Sequence, residues 1–258
     1  MKNQRIRPRF DLSGRVAIVT GSSKGIGEAM ARGLAEFGAK VIVSSRSQES
    51  VEAVAEAYRA DGLEATAIAC HVGDPDDRQR LVERTLATYG RLDILINNAA
   101  TNPYFGPVEG LSTAAYQKTL DVNLTAALEL SNLALPHLRA AGHGSVIHIS
   151  SVEGLHANPN FAAYNISKAG LIMLGKSQAR EWAADNVRVN VICPGLVKTK
   201  LSRALWENEP LAEQMRQTIP LNRMATPDEI AGLAVWLASD AASYVTGGTF
   251  VADGGMLG

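Results

Sequence analysis

Short apolar runs alternate along this chain with longer stretches in which apolar residues recur every three or four positions. The short runs predict strands over 16–19, 41–45, 65–70, 92–97, 145–150, 187–193 and 249–251. Most are rich in β-branched residues and carry few charges, as strands covered on both faces by helices should be. The longer stretches predict helices over 26–37, 47–60, 74–89, 111–138 and 161–184. Pro136 is expected to bend or end the longest of them. A further helix running to Leu237 opens at Thr226-Pro227-Asp228-Glu229, a capping box with proline at the first helical position. Strict alternation of the two patterns, with no repeat and no low-complexity linker, predicts an α/β fold: a single-domain doubly wound parallel sheet of Rossmann type with helices on both faces. Residues 15–258 form that domain on this reading, and 1–14 a short solvated arm.

The tightest feature of the pattern is at the first strand. Val16–Thr20 breaks into Gly21, Gly25 and Gly27 and resumes as a helix. Glycines let the backbone turn sharply and approach a ligand, and the helix start offers its amides to an anion. With a strand before, a helix after and a second strand following, this is the βαβ unit of a dinucleotide site. The spacing Gly-x-x-x-Gly-x-Gly differs from the commoner Gly-x-Gly-x-x-Gly.

Bulk properties narrow the function. At 258 residues and 46% hydrophobic the chain can bury a full core. A net charge of -1 gives no electrostatic footprint for nucleic acid or an anionic membrane, and no run is long enough to span a bilayer. Cys70 and Cys193 lack any Cys-x-x-Cys spacing, and the five histidines form no zinc-type cluster. No metal is expected, and the two cysteines fit a reducing, cytoplasmic setting.

Tyr164 and Lys168 stand one helical turn apart, and Ser150-Ser151 ends a buried strand, where ligands sit in open α/β sheets. Thr20-Gly-x-x-x-Gly-x-Gly, Asn97-Asn98-Ala99-Ala100, Asn123, Ser151, Tyr164 with Lys168, and Pro194-Gly195 fall in an order that resembles the short-chain dehydrogenase/reductase family. Asp253-Gly254-Gly255 is similar to that family's carboxyl end. The resemblance implies a catalytic set of Asn123, Ser151, Tyr164 and Lys168, with Ser150 structural or cofactor-contacting. Tyr164 would give a proton to the substrate oxygen as hydride arrives, Ser151 would donate to the same oxygen, and Asn123 would support a water that feeds protons to Lys168. The neighbouring ammonium should lower the tyrosine's pKa.

A cofactor set is implied in the same way. Gly21, Ser23, Lys24, Gly25, Ile26 and Gly27 form the phosphate turn. Ser45, Arg46, His71, Val72, Asn98 and Ala99 flank it. Tyr164, Lys168, Pro194, Gly195, Val197 and Thr199 close the nicotinamide end. The second strand ends in Ser44-Ser45-Arg46 with no acid, where an acid would repel a 2′-phosphate and arginine would pair with it. With Lys24 nearby, the expected cofactor is NADP(H). Where many relatives carry an aspartate against adenine, this chain has Cys70-His71-Val72-Gly73, so His71 either takes over that contact or the contact is absent. Cys70-His71-Val72-Gly73, Val43-Ser44-Ser45-Arg46 and the stretch from Asn98 to Pro103 are similar to the NADPH-dependent carbonyl and retinal reductases of the family.

The resemblance places substrate against Thr101 to Phe105, Glu153 to His156 and Phe161, under a lid over 199–220. Apolar residues at Leu201 and Leu205, then Leu211, Met215 and Ile219, suggest an apolar underside to that lid. Lys200, Arg203 and Arg216 are balanced by Glu207, Glu209 and Glu213, so an acidic carrier protein meets no basic rim. The expected substrate is a free, fairly apolar ketone or aldehyde, or the matching alcohol, and the expected assembly is a homotetramer. The alternatives are a 3-oxoacyl-(acyl-carrier-protein) reductase and a dinucleotide-binding sensor without turnover.

Overall fold

The computed structural model describes residues 5–200 and 202–258. Seven parallel strands form one sheet: β1 Val16–Thr20, β2 Lys40–Ser44, β3 Ala65–Ala67, β4 Ile94–Asn97, β5 Ser145–Ile149, β6 Arg188–Pro194 and β7 Thr249–Ala252. Their order is β3-β2-β1-β4-β5-β6-β7. The chain therefore winds outward from β1 in one direction, returns, and winds outward from β4 in the other. The reversal leaves a crevice between the carboxyl ends of β1 and β4.

Alternation within each strand divides the core in two. Ala17 and Val19 of β1 join one apolar layer with Met30 and Leu34 of α1 (Gly25–Glu36), Val51 and Ala55 of α2 (Gln48–Ala60), and helix Pro227–Ala238. Ile18 faces the other way, into a layer with Leu81 of α3 (Pro75–Tyr89), Leu130 and Leu138. Both faces are dry, which is why the strands read as continuous apolar runs. Several strands begin or end within a residue or two of their expected bounds, although β3 is only Ala65–Ala67.

The predicted helix over 111–138 is three segments. α4 (Thr113–Leu120) passes through a π turn, Asp121–Thr125, into α5 (Ala126–Ala141). Pro136 lies inside α5 without ending it, and Gly142 closes the helix with a φ of 77°. The break expected at the proline is thus displaced to Asp121, where the hydrogen bonding widens by one residue. α6 (Ala162–Trp182) carries Tyr164 and Lys168.

The lid is two short helices, α7 (Arg203–Trp206) and α8 (Glu209–Gln217), ahead of α9 (Pro227–Ala238). Leu201 lies outside the described residues, as do the side chains of Leu205 and Leu211. Ala212 and Ile219 are buried, and the Trp206 indole donates to Thr199 O at 2.9 Å. The capping box at Thr226 forms as the sequence requires. Residues 5–8 of the amino-terminal arm are exposed, as expected of a solvated arm, but the arm is anchored beyond them. Leu12 is fully buried, Phe10 lies 6.5 Å from Phe37, and Arg9 donates to Asp240 O and Ser243 Oγ.

Candidate active site

The glycine turn is braced from behind by residues that meet only in the folded sheet. Thr20 Oγ1 accepts from the main-chain N–H groups of Asn98 (3.0 Å) and Ala99 (3.1 Å) and donates to Ile96 O. The Asn98 amide returns the bond, donating to Thr20 O and Gly21 O. A Cβ on Gly21 would lie 3.0 Å from Ala99 Cα, and one on Gly27 only 2.4 Å from the Asn98 amide. Gly21 and Gly25 both take positive φ. Bare glycines are thus what allow the turn and β4 to close on each other.

The reversal point opens into a cleft of about 550 Å³. It gathers Gly21, Ser23, Lys24, Gly25, Ile26 and Gly27 from the turn, Ser45 and Arg46 from the end of β2, His71 and Val72 from the loop after β3, and Asn98, Ala99 and Thr199. Its wall does not include Asn123, Ser151, Tyr164, Lys168, Pro194, Gly195 or Val197. Val197 is buried and bridges to Ala225, while Gly195 allows close packing on Asp253. Two cations missed from the sequence also line the cleft, Lys118 of α4 and Lys200. Neither sits in a motif, so only the folded chain reveals them. Lys24, Arg46, Lys118 and Lys200 are all exposed, and no Asp or Glu shares the wall among the described residues.

The cradle suits a dinucleotide on its own evidence. The start of α1 has no side-chain cap at Lys24, and helix-start amides of this kind attract an anion, although Gly25 N–H also faces the Glu28 carboxylate. The bare glycines let phosphates approach these amides, and cations flank them.

Beyond Thr101 on the cleft wall lies the second cluster. Asn123, in the π turn, accepts from Thr101 N at 2.8 Å and donates to Thr101 O at 2.9 Å. It also donates to Ser167 Oγ at 3.0 Å, and Ser167 Oγ donates to Tyr164 O. The Asn123 side chain thus joins the cleft wall to α6.

Tyr164, Ser151 and Lys168 meet at the amino-terminal part of α6. The Ser151 side chain lies close enough to the Tyr164 hydroxyl to favour its ionised form, and its Oγ accepts from Glu153 N. Lys168 Nζ is 5.4 Å from the Tyr164 ring centre and donates to Ile149 O at 2.8 Å. Ser150 Oγ donates to Lys168 O, and a Cβ on Gly154 would lie 2.7 Å from the Lys168 carbonyl carbon. Ser150 is thus a structural clamp on the helix rather than a lining residue of the cleft.

Electrostatics differ from the sequence expectation. Burial pushes the Tyr164 phenol up to about 12, against a smaller lowering by Ser151. The lysine does not pull it down. Lys168 is only 2% exposed, and burial lowers its own pKa to about 8. For each group the largest cause is the cost of removing its charged form from water.

The whole-chain comparisons agree with this geometry. A family model described as Enoyl-(Acyl carrier protein) reductase matches residues 21–257. The chain is 42% identical over 247 residues to Dehydrogenase/reductase SDR family member 4 of Homo sapiens, covering 96% of this chain and 89% of that one. It belongs to the short-chain dehydrogenase/reductase family. The Caenorhabditis elegans protein of the same name is 39% identical, with 96% of each chain covered. Among solved members of the family, a gluconate 5-dehydrogenase from Burkholderia cenocepacia in complex with NADP and tartrate superposes with a TM-score of 0.94. It is 32% identical, covering 98% of this chain and 99% of that one. The Pseudomonas aeruginosa RhlG/NADP active-site complex gives 0.91 at 35% identity, covering 96% and 98%. The chain is accordingly an oxidoreductase, and the seven-stranded sheet is that of its family.

Proposed function

We propose that this protein is an NADP(H)-dependent oxidoreductase that interconverts free ketones or aldehydes and their alcohols, with Tyr164 as proton donor and acceptor. The observation that carries the reading is a cleft walled by four exposed cations and no carboxylate among the described residues, joined through Thr101 and Asn123 to the helix of Tyr164 and Lys168. Lys24 and Arg46, beside the end of β2, suit a 2′-phosphate that an acid would repel. The NADP complexes among its relatives point the same way.

When bound, the nicotinamide would supply hydride to a carbonyl carbon or take it from an alcohol. The chain's part is to hold and move protons. A phenol pushed up to about 12 keeps its proton at neutral pH, as a donor to a reduced carbonyl must. Lys168, lowered to about 8, is still protonated there and is the stronger acid of the two. The order favours return of a proton from lysine to a spent tyrosinate. Ser151, beside the Tyr164 hydroxyl, offers a second donor to the substrate oxygen. Asn123 acts as a positioning residue.

The lid supports a free substrate. Arg203 pairs with Glu207, and Arg216 with Glu209 and Glu213, which neutralises these arginines toward an acidic carrier, while the exposed Lys200 faces the cleft instead. Phe105 meets Phe161 edge to face at 4.9 Å, and Phe161 lies 6.2 Å from Tyr164, a run of apolar rings leading to the proton donor. Ile166 and Met173 on α6, 49% and 61% exposed, and Tyr244 and Val251 beside the sheet edge support a symmetric homo-oligomer, a tetramer by family likeness. Two buried free cysteines accord with a reducing, cytoplasmic compartment. No described helix is long and apolar enough to cross a membrane.

The test compares kcat/KM with NADPH and NADH on aromatic and aliphatic ketones and on a carrier-bound 3-oxoacyl thioester. NADPH and the free ketones should win, and light scattering on the same preparation should give a multiple of 27.4 kDa. A large advantage for NADH or for the carrier-bound thioester would overturn the reading.

A further inference from the structure

The cleft has two ends, set by the sheet. One, at Thr101 beside β4, adjoins the cluster of Ser151, Tyr164 and Lys168 beyond the cleft wall, which would hold the reacting end of the cofactor. The opposite end lies over β2 and β3, against Ser45, Arg46, Cys70, His71 and Val72. A dinucleotide that spans the reversal point must put its purine there.

The loop after β3 is held at several points. Cys70 N donates to Ser45 O, and Asp74 N donates to His71 O. His71 N donates to Asp77 Oδ2 at 2.7 Å, and Arg78 donates to Val72 O while pairing with Glu129. The His71 ring is fixed as well. Its Nδ1 accepts the main-chain N–H of Gly73 at 3.1 Å. A Cβ on Gly73 would lie 2.8 Å from His71 Cε1, so the missing side chain makes the space the ring occupies.

A ring nitrogen that accepts an N–H carries no proton, so in the neutral ring the proton is on Nε2. Nε2 has no hydrogen-bond partner among the described residues, and His71 lines the cleft. The other side chains of this loop that line the wall cannot take its place. Val72 has no polar group, and Cys70 is buried with its thiol pushed up to about 12. Resting on the NADP(H) reading, we propose that His71 reads the cofactor's purine as a fixed hydrogen-bond donor, through Nε2–H to N7, an acceptor in both adenine and hypoxanthine, or to a 6-oxo group beside it. The 6-amino group of adenine is itself a donor and finds no acceptor in this side chain.

The consequence is a purine specificity that a carboxylate at position 71 would not give. Replacing the 6-amino group by oxygen, as in reduced nicotinamide hypoxanthine dinucleotide phosphate, removes a donor the site does not use and adds an acceptor that it can. Binding without turnover is measured by titration calorimetry or by enhancement of reduced-nicotinamide fluorescence, with NADPH and the hypoxanthine analogue in parallel. The wild-type protein should bind the two within about threefold of each other. His71→Leu should weaken both by about five- to tenfold, as expected for one lost hydrogen bond. His71→Gln, whose amide can still donate, should recover part of that loss. His71→Asp should introduce a preference for NADPH over the analogue of about tenfold or more. A wild-type preference of that size for NADPH would overturn the inference, because an acceptor would then be reading the amino group. So would a His71→Leu variant that binds both as tightly as wild type. Failure of the wild-type protein to bind NADPH would overturn the cofactor reading and this inference with it.

Discussion

The two ends of the cleft treat positive charge in opposite ways. At the β2 and β3 end, Lys24 and Arg46 stand in solvent as recognition groups. Beneath the β5 and β6 end, Lys168 is buried against the Tyr164 ring, one hydrogen bond from Ile149 O, with its pKa pulled to about 8. The exposed cations are screened by water and salt and can hold an anion without much cost to the free protein. The buried one destabilises the free protein and gains a proton that can move near neutral pH. Burial, more than residue type, separates recognition from proton transfer here.

The sharpest way to break this contrast is at the buried end. Tyr164→Phe keeps the ring and removes the proton, so kcat should fall roughly 10²–10⁴-fold. Cofactor affinity should hardly change. Turnover kinetics on a reducible ketone, with a separate binding titration, check both halves, and near wild-type kcat would refute the assignment.

At the exposed end the effect should be smaller and of the other kind. Lys24→Ala with Arg46→Ala should weaken NADPH about ten- to hundredfold and leave NADH nearly unchanged, with kcat at saturating cofactor preserved. Raising salt should erode the wild-type preference, since these charges lie in water. A preference for NADPH that survives the double substitution would place 2′-phosphate recognition elsewhere.

The smallest effect concerns stability. Lys168 has a folded-state pKa of about 8 against an ordinary 10.5. Below pH 8 it is charged in both states, and the folded state carries the whole burial cost. Between pH 8 and 10.5 the folded protein sheds the proton while the unfolded chain keeps it, so this group makes stability rise with pH. Lys168→Met should therefore be inactive yet more stable than wild type by about 1–2 kcal/mol near pH 7. The difference should shrink toward pH 10.5. Denaturant unfolding of both ligand-free proteins across that range gives the answer, and a less stable variant at pH 7 would contradict the burial argument.

Much of this was legible in the chain. Local spacing carried the glycine turn, the four-residue step from Tyr164 to Lys168 and the capping box at Thr226, because each works within one turn of helix. Features that depend on distant partners were not legible. Thr20 braces residues 78 and 79 positions away, which requires knowing that β1 and β4 are neighbours. Lys118 and Lys200 reach the cleft from elements with no motif. The expected depression of the tyrosine's pKa failed for the same reason: proximity to Lys168 is local, whereas its burial is a property of the whole fold. Pro136 misled because a proline signals a break, while the real break at Asp121–Thr125 carries no proline or glycine to mark it.

That break has a meaning in terms of sequence length. A π turn is a helix that has absorbed one residue more than its ladder can count, and each helical residue turns the chain by about 100°. Deleting any one position in Asp121–Thr125 would restore an unbroken α-helix, straighter and better hydrogen-bonded than the present one. It would also swing Leu130, Ala134 and Leu138 off the sheet they cover, or, if they held their places, carry position 123 away from Thr101. The surplus residue is what lets one helix serve two registers, the core's and the active site's.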